Sequence, residues 1–506
     1  MKIRFSQYTM KILLVLIAGL QFSVSEGVSA RKPTSSADTM LTEDLLTGKN
    51  AEANKNSDYG PVEGENDLNG KSINLTLEDA LRLALTNDET LKEARQEIKA
   101  ARADLLSAKA QRLPHLDIAG QYGRNIQKPA FFLPEAFQTA MNAPARVEMG
   151  SDNDFTCAAT LTLNLWTAGR VSSAIEASSQ AAEAMRYQQE AVEKLTSYRV
   201  KEAYYNVLLA EKRVRIAEKA LSMTLEAARI ARVGYERGSV SRFDKMRAET
   251  ELANRKAPLA IRQNNLRQKM IILKKRCGLD YSTGITLADT LAATGSIPGI
   301  NYLLRVTLES SPEIKALRHR MNAGKYNLSM RKAQRWPMLQ VSANYAFQSQ
   351  WSEDYFPGKD HIARSSAVTL GFSIPIFDGF RTEGEIKKAR AKLRVSELEL
   401  EKTVRDKETA VRNARLGLES ARSSLEGCRE AVKLSEEAHR IALLRLENGM
   451  ATLLERLDSE LAMTRARAQL AEALYSCNIA EALLELSVGR KVTPEFLQNR
   501  QKGDSR

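Results

Sequence analysis

The chain has 506 residues, of which 43% are hydrophobic and 27% charged, and its formal net charge is +13. Lysine and arginine alternate with glutamate along the predicted helices, which indicates solvated helix faces and no nucleic-acid partner. The sequence contains neither a catalytic motif nor cysteines at the spacing of metal ligands, so we expect a protein that is not an enzyme and holds no cofactor or metal.

Residues 1–30 have the composition of a secretory signal peptide. A basic start is followed by an apolar segment at 12–20 and by the small-residue cleavage site Val28-Ser29-Ala30. Residues 31–72 are polar and predict a disordered linker, and 491–506 form a polar C-terminal tail. No later apolar run is long enough for a membrane-spanning helix. We therefore expect an exported protein whose insertion into a membrane uses strands.

The chain repeats itself. The segment 109–116 recurs at 332–339, a shift of 223 residues (332 − 109), and Arg170 recurs as Arg381, a shift of 211 (381 − 170). Such long constant shifts indicate a duplicated structural unit. The difference of 12 residues (223 − 211) predicts a loop of variable length between Pro114 and Arg170.

The two predicted repeats, 73–290 and 291–490, begin alike. Each is predicted to start with one long helix, 77–111 in the first repeat and 302–334 in the second. A proline follows each helix and ends it, since proline lacks the backbone N–H and its ring clashes with the preceding turn.

Two pairs of strands come next, at about 115–125 with 157–166 and at about 338–347 with 367–377. Their apolar residues alternate with small polar ones, as in outer-membrane barrel strands. A soluble hairpin with one face on a core gives the same alternation and is the alternative. Four strands do not close a barrel, and open strand edges are not tolerated in lipid, so we expect several protomers to share one barrel.

Long helices make up the rest of each repeat, because no proline occurs in 172–236 or in 382–447. Each stretch carries small apolar residues at 3-4-3-4 spacing, which is a heptad seam and is also found in ordinary coiled-coil rods. The seam residues are Val200, Ala203, Val207, Ala210 and Val214 in the first repeat, and Val411, Ala414, Leu418, Ala421 and Leu425 in the second.

The combination resembles the outer-membrane efflux protein family, the TolC-like channels. The resemblance covers about residues 72–490 and is carried by a Gln-Arg-x-Pro motif before each first strand, by the segment 374–379, and by two glycine turns. In each turn we expect the glycine to adopt the left-handed conformation that follows a long helix. The turn residues are Arg237, Gly238, Ser239, Val240 and Ser241 in the first repeat, and Asn448, Gly449, Met450, Ala451 and Thr452 in the second.

The resemblance implies a mainly α-helical fold with a β-barrel part. A homotrimer would share one 12-stranded outer-membrane barrel, with four strands from each protomer, and a periplasmic α-helical tunnel would continue it. The barrel would contact outer-membrane lipid, and the turns would contact a periplasmic adaptor protein that is coupled to an inner-membrane pump.

The resemblance also implies the function and the location of the chain. It would be the channel component of a tripartite efflux or type I secretion system, a passive export duct for small molecules or polypeptides. The barrel would lie in the bacterial outer membrane, with most of the chain in the periplasm. The alternative is a periplasmic coiled-coil adaptor or structural protein without a pore.

Acidic residues would narrow the tunnel entrance of such a channel. They correspond here to Asp458 and Glu455 after the second turn and to Asp244 after the first. Glu455 and Asp244 each follow a threonine or serine at capping-box spacing, so both are also predicted to belong to helix caps, whereas Asp458 has no capping role. The arginine and tyrosine found in some family gates are replaced by Ala451 and Leu446, so a gate salt bridge of that kind is not expected.

Overall fold

The computed structural model describes residues 73–141, 144–292, 297–352 and 362–490. The predicted signal peptide, the polar linker and the C-terminal tail lie outside these ranges, and their assignments stay predictions.

In the described residues each repeat contains helices of 11, 22, 67 and 36 residues, in that order. The equal lengths agree with the duplication inferred from the sequence. An additional short helix, α3, lies in the loop where the change of length was predicted. The helices are α1 (Leu77–Asn87), α2 (Glu89–Ala110), α3 (Glu135–Met141), α4 (Arg170–Glu236), α5 (Arg242–Cys277), α6 (Ile300–Ser310), α7 (Pro312–Ala333), α8 (Arg381–Glu447) and α9 (Leu453–Val488).

The prediction of one long helix at the start of each repeat was wrong, because a capping residue divides it into two. Asp88 has an extended ψ of 128°, and its carboxylate accepts a hydrogen bond from the Leu91 N–H at 3.2 Å. In the second repeat Ser311 takes the same place, and its hydroxyl accepts from the Ile314 N–H. Pro312 then occupies the first position of α7, where its missing N–H costs nothing.

The strands form one larger sheet and two small pairs. β2, β5, β7 and β8 make an antiparallel sheet in that order, β1 pairs with β6 in parallel, and β3 pairs with β4. The sequence did not predict β1, β3, β4 or β6, each of which has three residues. The strands are β1 (Ile73–Leu75), β2 (His115–Arg124), β3 (Ala130–Phe132), β4 (Arg146–Glu148), β5 (Asn153–Trp166), β6 (Ile285–Leu287), β7 (Met338–Trp351) and β8 (Ile362–Ser373).

Three predicted strands need corrected boundaries, and the one expected at about 338–347 is β7, which continues to Trp351. The strand expected at about 367–377 is β8, which begins five residues earlier and ends at Ser373. It ends there because its partner β7 begins at Met338, which lies opposite Ser373. The strand expected at 157–166 begins at Asn153, since its pairing with β2 and β7 continues to that residue.

The register separates the two faces of the larger sheet. Val341 of β7 lies opposite Leu163 of β5 and Leu370 of β8, whereas Ser342 lies opposite Thr369. Because neighbouring residues of a strand point to opposite faces, one face is rich in large apolar side chains and the other in small polar ones. The apolar face is open to solvent in one chain, and 64% of Leu370 is exposed.

Each heptad seam forms the core of its repeat. Val200 and Val207 of α4 are fully buried in a cluster that includes Leu273 of α5, and Val411 of α8 is fully buried in a cluster with Leu484 of α9. The predicted seams are therefore confirmed as helix-packing surfaces. No helix in the described ranges has both the length and the apolarity needed to cross a membrane.

Candidate functional site

The two glycine turns join long antiparallel helices. We name the α4–α5 pair the first hairpin and the α8–α9 pair the second hairpin. Gly238 and Gly449 have φ of +75° and +66°, so the predicted left-handed conformation is confirmed. At each turn the N–H that follows the glycine bonds back to a carbonyl five residues earlier. These bonds, Ser239 to Gly234 and Met450 to Arg445, are both 2.8 Å long and define a Schellman motif.

A side-chain cap starts the returning helix of each hairpin. The Asp244 N–H donates to the Ser241 hydroxyl at 3.1 Å, and the Glu455 N–H donates to the Thr452 hydroxyl at 3.2 Å. The caps by Ser241 and Thr452 are therefore confirmed, whereas the carboxylates of Asp244 and Glu455 accept from the cap hydroxyls, at 2.6 and 3.5 Å, and not from a helix-start N–H. The acidic side chains stay near the surface, and the Glu455 carboxylate lies 3.5 Å from a guanidinium nitrogen of Arg445.

Asp458 lies one helical turn beyond Glu455 on α9, and both side chains are exposed. The intervening Arg456 and Leu457 are buried, so the two acids share the solvent side of α9. The first hairpin carries the opposite charge at the place that corresponds to Asp458, which is Arg247 (458 − 211). Only the second hairpin therefore presents two acids on successive turns.

The two hairpin ends lie close together within one chain. Ala228, Ala231 and Ala248 form a buried cluster at the end of the first hairpin, and Leu453 at the start of α9 packs against it. The structure thus places the second turn beside the first, so Glu455 and Asp244 belong to the same end of the helices.

Two turn residues were not identified from the sequence. A Cβ on Gly234 would approach the Val240 Cγ2 atom to 2.5 Å, so this position admits no side chain without movement of the turn. Its equivalent in the second repeat is Arg445 (234 + 211), whose guanidinium donates to the Met450 carbonyl at 3.1 Å. A comparison of the two repeats in the sequence could have identified these residues, because a glycine in the first repeat corresponds to an arginine in the second.

Buried polar residues lie behind the exposed acids. Glu460 is fully buried and accepts a hydrogen bond at 3.0 Å from the Thr224 hydroxyl of α4, and burial raises the pKa of its carboxyl. The His439 ring of α8 lies 3.0 Å from the Ser459 hydroxyl of α9. Burial, together with the charge of Arg456, lowers the pKa of this imidazole.

Comparison with known proteins gives the family. The profile described as "Outer membrane efflux protein" matches residues 80–279 and 303–490. The protein CyaE of Bordetella pertussis is 26% identical over 388 residues, which are 76% of this chain and 75% of that protein. The alkaline protease secretion protein AprF of Pseudomonas aeruginosa is 23% identical over 339 residues, or 66% of this chain and 67% of that one.

The fold is also that of solved outer-membrane proteins. The crystal structure of VceC from Vibrio cholerae superimposes with a TM-score of 0.67 at 19% identity, over 82% of this chain and 96% of that one. A likeness over so large a share of the chain agrees with the profile match over both repeats. The chain therefore belongs to the outer membrane efflux protein family and is an outer-membrane channel component of export systems.

Proposed function

We propose that three copies of the chain form one duct, with a 12-stranded barrel in the outer membrane and a helical tunnel in the periplasm. The observation that carries this proposal is the four-stranded sheet, whose outer strands β2 and β8 have no further neighbour in the described residues. Its apolar face is exposed, and open strand edges are not stable in lipid. Pairing of β8 with β2 of the next copy removes every edge.

The hairpins extend this duct towards the inner membrane. A helix of 67 residues is about 100 Å long at 1.5 Å per residue, a length suited to a periplasmic tunnel. The hairpin turns are the exposed ends of these helices. Residues 237–241 and 448–452 then contact a periplasmic adaptor protein that is coupled to an inner-membrane pump.

The cargo passes through without chemical change. AprF is by name a secretion protein for an alkaline protease, which supports polypeptides as one class of cargo for this duct. Small molecules are the other class, and the inner-membrane pump selects between them.

Three-fold symmetry brings three copies of Asp458 around one axis, with Glu455 on the same side of α9 and Asp244 at the neighbouring turn. Grouped carboxylates attract cations and slow their passage, so these residues form the narrow, cation-attracting entrance of the tunnel. Burial of Arg456 and Leu457 between the two acids supports this orientation, because it directs Asp458 away from the helix packing.

Cross-linking between copies tests the shared barrel. Ile118→Cys in β2 and Leu370→Cys in β8 are placed together in a chain whose four native cysteines have been replaced. A bifunctional maleimide is expected to join three chains on a denaturing gel, and the purified protein is expected to conduct ions in planar bilayers. The matched control, Val341→Cys with Leu370→Cys, places both cysteines on directly paired strands of the same chain and should give only monomers. A water-soluble monomer that gives neither cross-links nor conductance would contradict the proposal.

A further inference from the structure

The two hairpins are held together differently at equivalent positions near their ends. In the first hairpin Ala228 of α4 and Ala248 of α5 belong to one buried apolar cluster. The equivalent residues of the second hairpin are His439 (228 + 211) and Ser459 (248 + 211), whose Nδ1 and Oγ atoms are 3.0 Å apart. At this place the first hairpin has an apolar contact that does not depend on pH. The second hairpin has a hydrogen bond that involves a titratable histidine.

The hydrogen bonds determine the tautomer of this histidine. The Ser459 hydroxyl donates its proton to the Arg456 carbonyl at 2.7 Å, so its oxygen must accept a proton from Nδ1 of His439. A neutral imidazole that donates through Nδ1 carries its lone pair on Nε2. This Nε2 atom is buried and has no hydrogen-bond partner among the described residues.

The surroundings of the ring oppose a second proton. Arg456 and Arg467 of α9 both lower the pKa of His439, after burial itself, and Arg467 also bonds Glu436 of α8 at 2.7 Å. A proton on Nε2 creates a buried N–H donor and a charge that faces these two cations, both of which are costly in an apolar interior. The nearby Glu460 uses one oxygen to accept from α4 and is not bonded to the ring.

We propose that the His439–Ser459 pair is an acid-released latch of the second hairpin, and that protonation at Nε2 separates the ends of α8 and α9 and moves Asp458. The inference rests on the proposed channel function, because Ser459 adjoins Asp458 in the entrance. The first hairpin, closed by alanines, keeps its packing at every pH.

The direction of the pH effect follows from linkage. The packed state holds the imidazole neutral, so its stabilising effect is complete above the free histidine pKa of about 6.5 and declines as the pH falls below it. At pH 5.5, one unit below that free value, the packed contact is disfavoured by at most about tenfold in each chain. Burial raises the pKa of Glu460, which favours the packed state in acid, so a variant must isolate the contribution of the histidine.

Hydrogen exchange of the assembled protein measures the latch without reference to transport. Amides of residues 440–462 are expected to exchange severalfold faster at pH 5.5 than at pH 7.5, up to a limit of about tenfold, after correction for the intrinsic pH dependence. The equivalent amides at 229–251 serve as the internal control and should change less than about twofold. The double variant His439→Ala/Ser459→Ala restores the alanine pair of the first hairpin and should abolish the difference. Equal acid response in the wild type and the double variant would refute the latch.

Bilayer conductance connects the latch to the entrance. Wild-type conductance is expected to rise below about pH 6.5, whereas the double variant should lack this component and keep only the titration of the exposed acids. Conductance without the wild-type rise would overturn the latch and leave the duct intact. Absence of conductance at every pH would instead overturn the proposed channel, and the exchange measurement would still decide whether the latch exists.

Discussion

The two hairpins have the same backbone plan and different chemistry. Their helices have equal lengths, and both turns combine a left-handed glycine with a side-chain cap at the start of the returning helix. The first hairpin closes on alanines and carries Arg247 where the second has the exposed Asp458. The second hairpin closes on a histidine and a serine. The two hairpins therefore share the helix lengths and the turn geometry that came with the duplication. They differ in a few side chains at equivalent positions, which are apolar or basic in the first hairpin and polar or acidic in the second.

The largest expected effect concerns the turns themselves. Gly449→Asp should abolish export while trimer and barrel remain, because no heavy atom lies within 4 Å of the added Cβ, aspartate is among the residues that visit the left-handed conformation, and the new charge lies in the proposed adaptor contact. Gly238→Asp tests the first hairpin in the same way. Gly449→Asn is the matched control, since asparagine tolerates left-handed geometry without a charge. Export assays beside trimer gels measure both properties, and loss of the trimer would show that the glycines serve only the fold.

The next largest effect is expected from substitutions in β8, the edge strand of the second repeat. Leu370→Arg should reduce the free energy of unfolding by about 2–4 kcal/mol if this position faces mid-bilayer lipid. Val341→Arg, directly opposite on β7, should behave alike. Thr369→Arg or Ser342→Arg on the other face should have a mild effect, because the lumen is wet. Denaturant unfolding in lipid measures the four variants, and equal losses on both faces would contradict the assignment of the faces.

Variants of the two acids in the second hairpin distinguish a role in helix capping from a role in ion conduction. Glu455→Ala should cost about 0.5–2 kcal/mol if its carboxylate contributes to the helix start, and should weaken cation selectivity in part. Asp458→Ala should leave stability unchanged but weaken both cation selectivity and block by multivalent cations. Asp244→Ala tests the contribution of the corresponding acid to the helix start in the first hairpin. Bilayer recordings and thermal unfolding measure these effects, and unchanged selectivity in a trimeric Asp458→Ala channel would remove this residue from the entrance.

The smallest effect concerns the buried carboxyl. Burial raises the pKa of Glu460, so its contribution to stability is greatest when it is protonated, below about pH 4.5, and is lost as the pH rises through the raised value. Glu460→Gln removes the buried charge and keeps an acceptor for Thr224. It should therefore raise the melting temperature at pH 8 and leave it nearly unchanged at pH 4. Glu249→Gln, at the equivalent half-buried site of the first hairpin, should give no such gain because Glu249 pairs with Arg232.

Local patterns predicted much of the fold. The shift of 211 residues placed the long helices and both turns, and alternation placed the four main strands within a few residues. The predictions failed where a single capping residue or the partner strand decided the outcome: Asp88 and Ser311 divide helices by capping, and β8 ends opposite the first residue of β7. The three-residue strands escaped prediction because so short a segment has no periodicity.

The sequence by itself determined the duplication, the long helices, the capped glycine turns and the family, since each depends on residues that are close along the chain or on a repeat within it. Only the tertiary structure decided how the sheet joins the repeats, because β5 pairs with β7 across the whole first hairpin. It also decided the surroundings of His439. Twenty residues separate this histidine from Ser459, and folding the hairpin is what brings them together in a dry interface, where a neutral ring is favoured over a charged one.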